Sequence, residues 1–80
     1  MSTQFLNTLR VGESGVVAHV AGERAMCRRL FDLGLVPGTT VTCTAVSPAG
    51  DPAAYLIRGA VIALRGRDAA GVRLAEEVWA

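Results

Sequence analysis

Residues 28–41 read RRLFDLGLVPGTTV, and this junction constrains the fold more than any other part of the sequence. Three apolar residues in and just before it fall at the i, i+4 and i+7 spacing of one helical face: Met26, Leu30 and Leu33. This spacing predicts a helix over about 23–33. Gly34 then occupies the position at which helices often end in a left-handed residue, and Pro37 prevents the helix from resuming. The chain is therefore expected to turn sharply from a helix into a strand.

Five short segments around this helix have the β-branched or alternating composition of strands: 16–20, 40–46, 54–58, 61–65 and 72–78. Within one of them, Val41, Cys43 and Ala45 alternate with threonines, which is typical of a half-buried antiparallel strand. The dipeptide Gly59-Ala60 predicts a type II′ hairpin turn between two others. Short strands joined by turns are expected to curl into a partly open barrel that protects its edges. The sequence thus predicts a mainly β fold, a small SH3-like antiparallel barrel of about five strands with one short helix inserted after the first.

The size and charge of the chain exclude several classes of function. Its 80 residues suffice for a single domain, residues 1–80, which buries only about 60–65% of its extended surface. The formal net charge is +1, whereas domains dedicated to nucleic acid are usually strongly basic. The basic residues are all arginine, so the lysine that a P-loop needs for its phosphate contact is missing. We expect neither a nucleic-acid-binding domain nor a P-loop nucleotidase.

The two cysteines and the hydropathy pattern indicate the compartment. Cys27 and Cys43 are far apart, and a secretory signal peptide is not expected, because no apolar segment follows a basic start. Reduced thiols that pack as small hydrophobic residues in a cytoplasmic protein are therefore expected. The longest uncharged run, residues 33–50, is interrupted by glycines and prolines and predicts no membrane helix.

Metal-binding and catalytic motifs are also lacking in the sequence. His19, Cys27, Cys43 and the carboxylates are scattered singly, without the Cys-x-x-Cys or His-x-x-x-His spacing that gathers ligands around one ion. His19 is expected to be a surface or hydrogen-bonded residue of a strand rather than a metal ligand. A single histidine and no Gly-x-Ser-x-Gly nucleophile motif argue against hydrolytic catalysis. We predict a protein that is not an enzyme, with no catalytic residue, no metal ligand and no cofactor.

What remains is a surface for protein binding around the helix. The candidate contact residues lie on the helix and at its exit: Arg28, Arg29, Phe31, Leu35 and Val36. Arginine beside exposed aromatic and aliphatic side chains is enriched in binding hot spots. Tyr55 is a further candidate contact residue. The alternatives are that Phe31 caps the barrel while the arginines are solvated, and that Tyr55 packs across neighbouring strands.

The order of motifs along the chain resembles the FeoA family, small cytosolic accessory proteins of bacterial ferrous iron uptake. The resemblance rests on LRVGESGVV from residue 9, RRLFDLGLVPGT from residue 28, Gly50-Asp51-Pro52, and RGAVIALR from residue 58. It extends over nearly the whole chain, and RRLFDLGLVPGT is its most specific part. It implies an SH3-like barrel, in agreement with the fold predicted from the residues.

The resemblance also implies a partner, the FeoB membrane iron transporter with its cytosolic GTP-binding region. A protein of this kind modulates the transporter rather than moving iron, and it is cytoplasmic, recruited to the inner face of the membrane. It is not itself inserted in the membrane. The family provides no metal-ligand motif that these residues match. Similar domains occur at the end of iron-dependent repressors, so the alternative is a metal-responsive SH3-like regulatory module that binds Fe(II) or another transition metal weakly, with His19 or Cys43 as the contact to Fe(II).

Overall fold

A computed structural model describes residues 4–80 of the chain. The strands in chain order are β1 (Gln4–Phe5), β2 (Ser14–Val20), β3 (Thr40–Val46), β4 (Ala53–Ile57), β5 (Ala60–Leu64) and β6 (Val72–Trp79). The helices are a 3₁₀ turn (Leu6–Thr8), α1 (Arg24–Asp32) and α2 (Gly66–Ala69). The predicted mainly β architecture with one short helix inserted among the strands is confirmed; the helix was predicted after the first strand and follows β2, because β1 is an additional strand.

The strands described form one antiparallel sheet in the order β1-β6-β2-β3-β4-β5. Its ends, β1 and β5, do not pair, so the sheet curls without closing. The strand β1, which was not predicted from the sequence, has only two residues and pairs Gln4 with Leu74. A strand that short carries no readable alternation, which is why sequence periodicity misses it.

The core lies on the concave face of the sheet, where the inward-facing residues of the strands meet the buried faces of the helices. Its largest fully buried side chains are Tyr55, Leu6, Leu30, Leu35, Ile57, Val17, Val41, Val72 and Cys43. Cys43 pairs with Tyr55, which in turn pairs with Ile62 on the next strand. The predicted alternation of β3 fails at Ala45, which is exposed, because the register between β3 and β4 shifts after Cys43.

The exit from α1 forms as the sequence predicts. Gly34 takes a φ of +103°, and its N–H donates to the carbonyl oxygen of Phe31 at 2.9 Å. The N–H of Leu35 donates to the carbonyl oxygen of Leu30, also at 2.9 Å. These two bonds are the Schellman motif, which satisfies the last carbonyls of a helix and sends the chain back across it.

The β4–β5 hairpin differs from the prediction by one residue. Ile57 pairs with Ala60, so the two-residue turn is Arg58-Gly59 rather than Gly59-Ala60. Both turn residues have positive φ, +51° for Arg58 and +84° for Gly59, which makes the turn type I′ and not II′. The prediction assigned the glycine to the first position of the turn, whereas it occupies the second.

Candidate partner-binding site

The helix α1 presents one apolar stripe to the core, Cys27 beside it is also partly packed against the core, and the remaining surface faces solvent. The stripe consists of the three residues predicted from their spacing: Met26, Leu30 and Leu33. Leu30 is only 1% exposed, whereas Met26 and Leu33 are half-buried at the edges of the stripe. In a nine-residue helix with one buried stripe, two flanks remain available to other molecules.

One flank of α1 forms a shallow cavity of about 420 Å³, which we call the α1 groove. It is lined by Arg24, Cys27, Arg28, Phe31 and Asp32. Four of these residues follow the i, i+3, i+4, i+7 spacing that aligns side chains along one side of a helix. Phe31 is 45% exposed, so it does not cap the barrel as the alternative interpretation required. The groove therefore combines an exposed aromatic ring with two guanidinium groups.

Arg29 lies on the opposite flank of α1 and takes no part in the α1 groove. It lines a separate cavity together with Arg65 and Arg67. Successive residues of an α-helix are rotated by about 100°. The adjacent arginines Arg28 and Arg29, which were predicted to share one surface, therefore face different surroundings.

Two of the predicted contact residues are buried, and their assignment to an exposed surface is wrong. Leu35 is fully buried, because the Schellman motif folds it back onto the last turn of α1. Tyr55 is 2% exposed and packs between β3 and β5, as the alternative interpretation proposed. Val36 is half-buried beside the helix exit. Of the predicted set, only Arg28 and Phe31 line the α1 groove.

Tyr55 is a packing residue of the core and not a reactive group. Its hydroxyl donates to the carbonyl oxygen of Leu6 at 3.4 Å. Burial raises the pKa of Tyr55 to about 12, and the neighbouring Cys43 and Asp51 add to the effect. The phenol therefore stays protonated at every physiological pH and serves to pack the core.

The two cysteines are free thiols in different surroundings. Cys43 is buried in the core, and burial raises its thiol pKa above the ordinary value. Cys27 is half-buried beneath the α1 groove, with its Sγ 3.6 Å from the carbonyl oxygen of Gly22. His19 is exposed on β2, opposite Arg73 of β6, as predicted for a surface residue.

The potential metal ligands do not come together in the part of the chain that the structure describes. Within residues 4–80, no group of three or more histidine, cysteine, aspartate or glutamate side chains could hold one metal ion. In the same part of the chain, no helix is long and apolar enough to cross a membrane. The α1 groove is the feature that best suits binding to another protein, because arginine and aromatic side chains dominate interface energetics.

Arg24 and Cys27 belong to the groove although they were not predicted as contact residues. Their spacing relative to Arg28 and Phe31 was available in the sequence, since 24, 27, 28 and 31 share one helical side. Applying the helical period to the exposed residues, and not only to the buried stripe, would have found them.

Comparison with known proteins gives a consistent family match. Residues 5–76 match the FeoA domain family. The solution structure of the FeoA protein from Chlorobium tepidum is 34% identical and superposes with a TM-score of 0.81 over 95% of this chain and 69% of that one. The zinc-complexed FeoA of Stenotrophomonas maltophilia, described as a prokaryotic SH3 domain protein, is 32% identical, with a TM-score of 0.78 over 94% of this chain and 91% of that one.

A relative of known sequence joins this kind of domain to a transporter. The Fe(2+) transport protein A/Fe(2+) transporter FeoB fusion protein of Porphyromonas gingivalis is 32% identical over 69 residues, or 86% of this chain. The chain spans only 8% of the length of that fusion protein.

Proposed function

This chain belongs to the FeoA family, and we propose that it is a non-enzymatic accessory protein of ferrous iron transport that docks on the cytosolic part of an FeoB-type transporter. The fusion protein of Porphyromonas gingivalis supports the choice of partner, because a homologous domain and a transporter share one polypeptide there. Domains that are fused in one organism are candidates for association as separate chains in another. The proposed location is the cytoplasm, with recruitment to the inner face of the membrane by the transporter.

The observation that carries the proposal is the composition of the α1 groove. Phe31 is 45% exposed, and together with Arg24 and Arg28 it lines the shallow cavity of about 420 Å³. An exposed ring offers apolar area to a partner, while guanidinium groups bind carboxylates in bidentate geometry. The partner surface that fits would present an apolar side chain to Phe31 and acidic side chains to the two arginines.

The titratable groups support a binding role over a catalytic one. Burial raises the pKa values of Cys43 and Tyr55. Both are core residues, whereas a catalytic acid or base must reach a substrate in a cleft. The α1 groove holds no histidine and one carboxylate, Asp32, so it lacks a paired acid and base.

Affinity measurements with single variants test the proposal. The purified chain would be titrated against the cytosolic region of the FeoB-type transporter from the same organism. We expect Phe31→Ala and Arg28→Glu each to weaken binding by at least about tenfold, since loss of a hot-spot side chain costs about 2 kcal/mol or more and every ~1.4 kcal/mol is tenfold in affinity. Arg73→Glu is the matched control, because it makes the same charge change at an exposed position on β6.

The outcomes separate the α1 groove from other surfaces. Unchanged affinity in both groove variants, with thermal unfolding showing that they remain folded, would contradict docking through this flank. Equal weakening by Arg28→Glu and Arg73→Glu would show that net charge, and not the groove, controls association. Iron uptake by cells carrying the transporter with and without the chain would then report whether the association activates or inhibits transport.

A further inference from the structure

Three of the eight arginines in the chain line one cavity between α1, α2 and the end of β5. Arg29 reaches this cavity from the second flank of α1, while Arg65 and Arg67 come from the start of α2. The volume of the cavity is about 320 Å³, near the lower end for small-molecule sites. All three arginines are exposed, so their guanidinium groups are accessible to a ligand from solvent.

The charge in this cavity is poorly balanced by the protein itself. The remaining lining residues are Met26, Ala63, Leu64 and Asp68, so one carboxylate faces three guanidinium groups. A neighbouring cavity that shares Met26, Arg67 and Asp68 has a second carboxylate, Glu23, in its lining. An excess of positive charge in a concave site raises the local concentration of anions.

Three backbone N–H groups of α2 already donate hydrogen bonds within the protein, so the arginine side chains are the principal donors available to an anion. The N–H of Gly66 donates to Oδ1 of Asp51 at 2.8 Å. The N–H groups of Asp68 and Ala69 both donate to the carbonyl oxygen of Arg65 at 3.0 Å. An anion in the cavity would therefore be held by guanidinium side chains, which bind the paired oxygens of phosphates and carboxylates in fork geometry.

We propose that this cavity binds a small phosphate-bearing anion with at least two phosphoryl groups, such as a diphosphate. Several oxygens within a few ångströms of each other are needed to engage three guanidinium forks, and a diphosphate presents them in a compact volume. The site is separate from the α1 groove, since Arg29 and Arg28 lie on opposite flanks of the helix. Ligand binding here does not depend on docking to the transporter.

Calorimetric titration of the chain alone with inorganic pyrophosphate tests the proposal. We expect saturable binding of one pyrophosphate per chain, with inorganic monophosphate binding more weakly. Arg65→Gln and Arg67→Gln should each weaken pyrophosphate binding by at least about tenfold, because each removes charge-assisted hydrogen bonds. Arg73→Gln, the control with the same loss of charge outside the cavity, should change the affinity by less than about twofold.

Thermal unfolding is a second measurement, and it identifies any variant that fails to fold. Pyrophosphate should raise the midpoint of thermal unfolding of the wild-type chain, and the increase should shrink in the cavity variants while their ligand-free midpoints stay similar. Absence of saturable binding would overturn the proposal, as would an equal loss in Arg73→Gln. Binding of an acidic peptide, but not pyrophosphate, through the same arginines would overturn the small-anion assignment and make the cavity part of a protein interface.

Discussion

Gly34 lies directly against the side chain of Arg58, so closely that a Cβ atom at position 34 would be 2.7 Å from Arg58 Cδ. The same atom would lie 3.3 Å from Ile57 Cγ2. The exit of α1 therefore packs against the β4–β5 hairpin, and the contact is made at Gly34, which has no side chain. This contact fixes where α1 ends on the sheet, and hence where the α1 groove is presented.

Substituting Gly34 is expected to destabilise the fold for two separate reasons. Gly34→Ala places a Cβ on a residue with a φ of +103°, which costs about 1–2 kcal/mol, and also forces Arg58 to move. Gly38→Ala is the matched control, because Gly38 has a φ of +94° but a Cβ added there would meet no atom within 4 Å. Denaturant unfolding should therefore show a larger loss for Gly34→Ala than for Gly38→Ala. Equal losses would mean that the contact with Arg58 contributes nothing.

Truncating a side chain should lower the free energy of unfolding far more on the buried side of α1 than on its exposed side. Leu30→Ala removes a side chain that is 1% exposed and should lower the free energy of unfolding by about 2–5 kcal/mol. Phe31→Ala, at a residue that is 45% exposed, should cost less than about 1 kcal/mol. Urea denaturation of both variants makes the comparison. A large loss in Phe31→Ala would identify the ring as part of the core and remove it from the proposed docking surface.

The raised pKa of Tyr55 predicts a loss of stability at high pH. Its pKa is about 12 in the folded chain and about 10 in the unfolded chain, so the unfolded state loses its proton first as pH rises. Tyr55 therefore stabilises the fold fully below pH 10, and this contribution disappears between about pH 10 and 12. Unfolding midpoints measured from pH 9 to 12 should fall more steeply in the wild type than in Tyr55→Phe. Parallel curves for the two proteins would contradict the assigned shift.

Fe(II) binding distinguishes the accessory role from a metal-responsive module. His19 is exposed on β2 while Cys43 is buried in the core, and within residues 4–80 no three potential ligands are grouped. We expect anaerobic calorimetric titration with ferrous iron to give no saturable binding. Saturable binding that disappears in His19→Ala or Cys43→Ser would instead favour the metal-responsive alternative.

The sequence predicted best those structural features that depend only on residues close together in the chain. The helix exit could be read from Gly34 and Pro37, because one positive φ and one missing N–H suffice to end a helix. The β4–β5 turn was misplaced because its position is set by the pairing of Ile57 with Ala60, which depends on the whole sheet. Arg58 in a left-handed conformation gives no sequence signal of its own.

The candidate site was predicted only in part for the same reason. Phe31 and Arg28 were found because arginine next to an aromatic residue on the predicted helix is a composition typical of binding hot spots. Leu35 was misjudged because it was counted as an exposed contact residue, although the position directly after Gly34 is the one that the capping motif folds back onto the helix. The cavity formed by Arg29 with Arg65 and Arg67 could not be predicted, since it requires knowing that the fold brings residues of α1 and α2 around one cavity.

Mapping the bound surface residue by residue tests the proposed docking most directly. The ¹⁵N-labelled chain would be titrated with the unlabelled cytosolic region of the FeoB-type transporter, and amide chemical shift changes recorded. We predict that the largest changes cluster at Arg24, Cys27, Arg28 and Phe31, with little change on the outer face of β3 and β4. Changes confined to the sheet, with the amides of α1 unaffected, would contradict docking through the α1 groove.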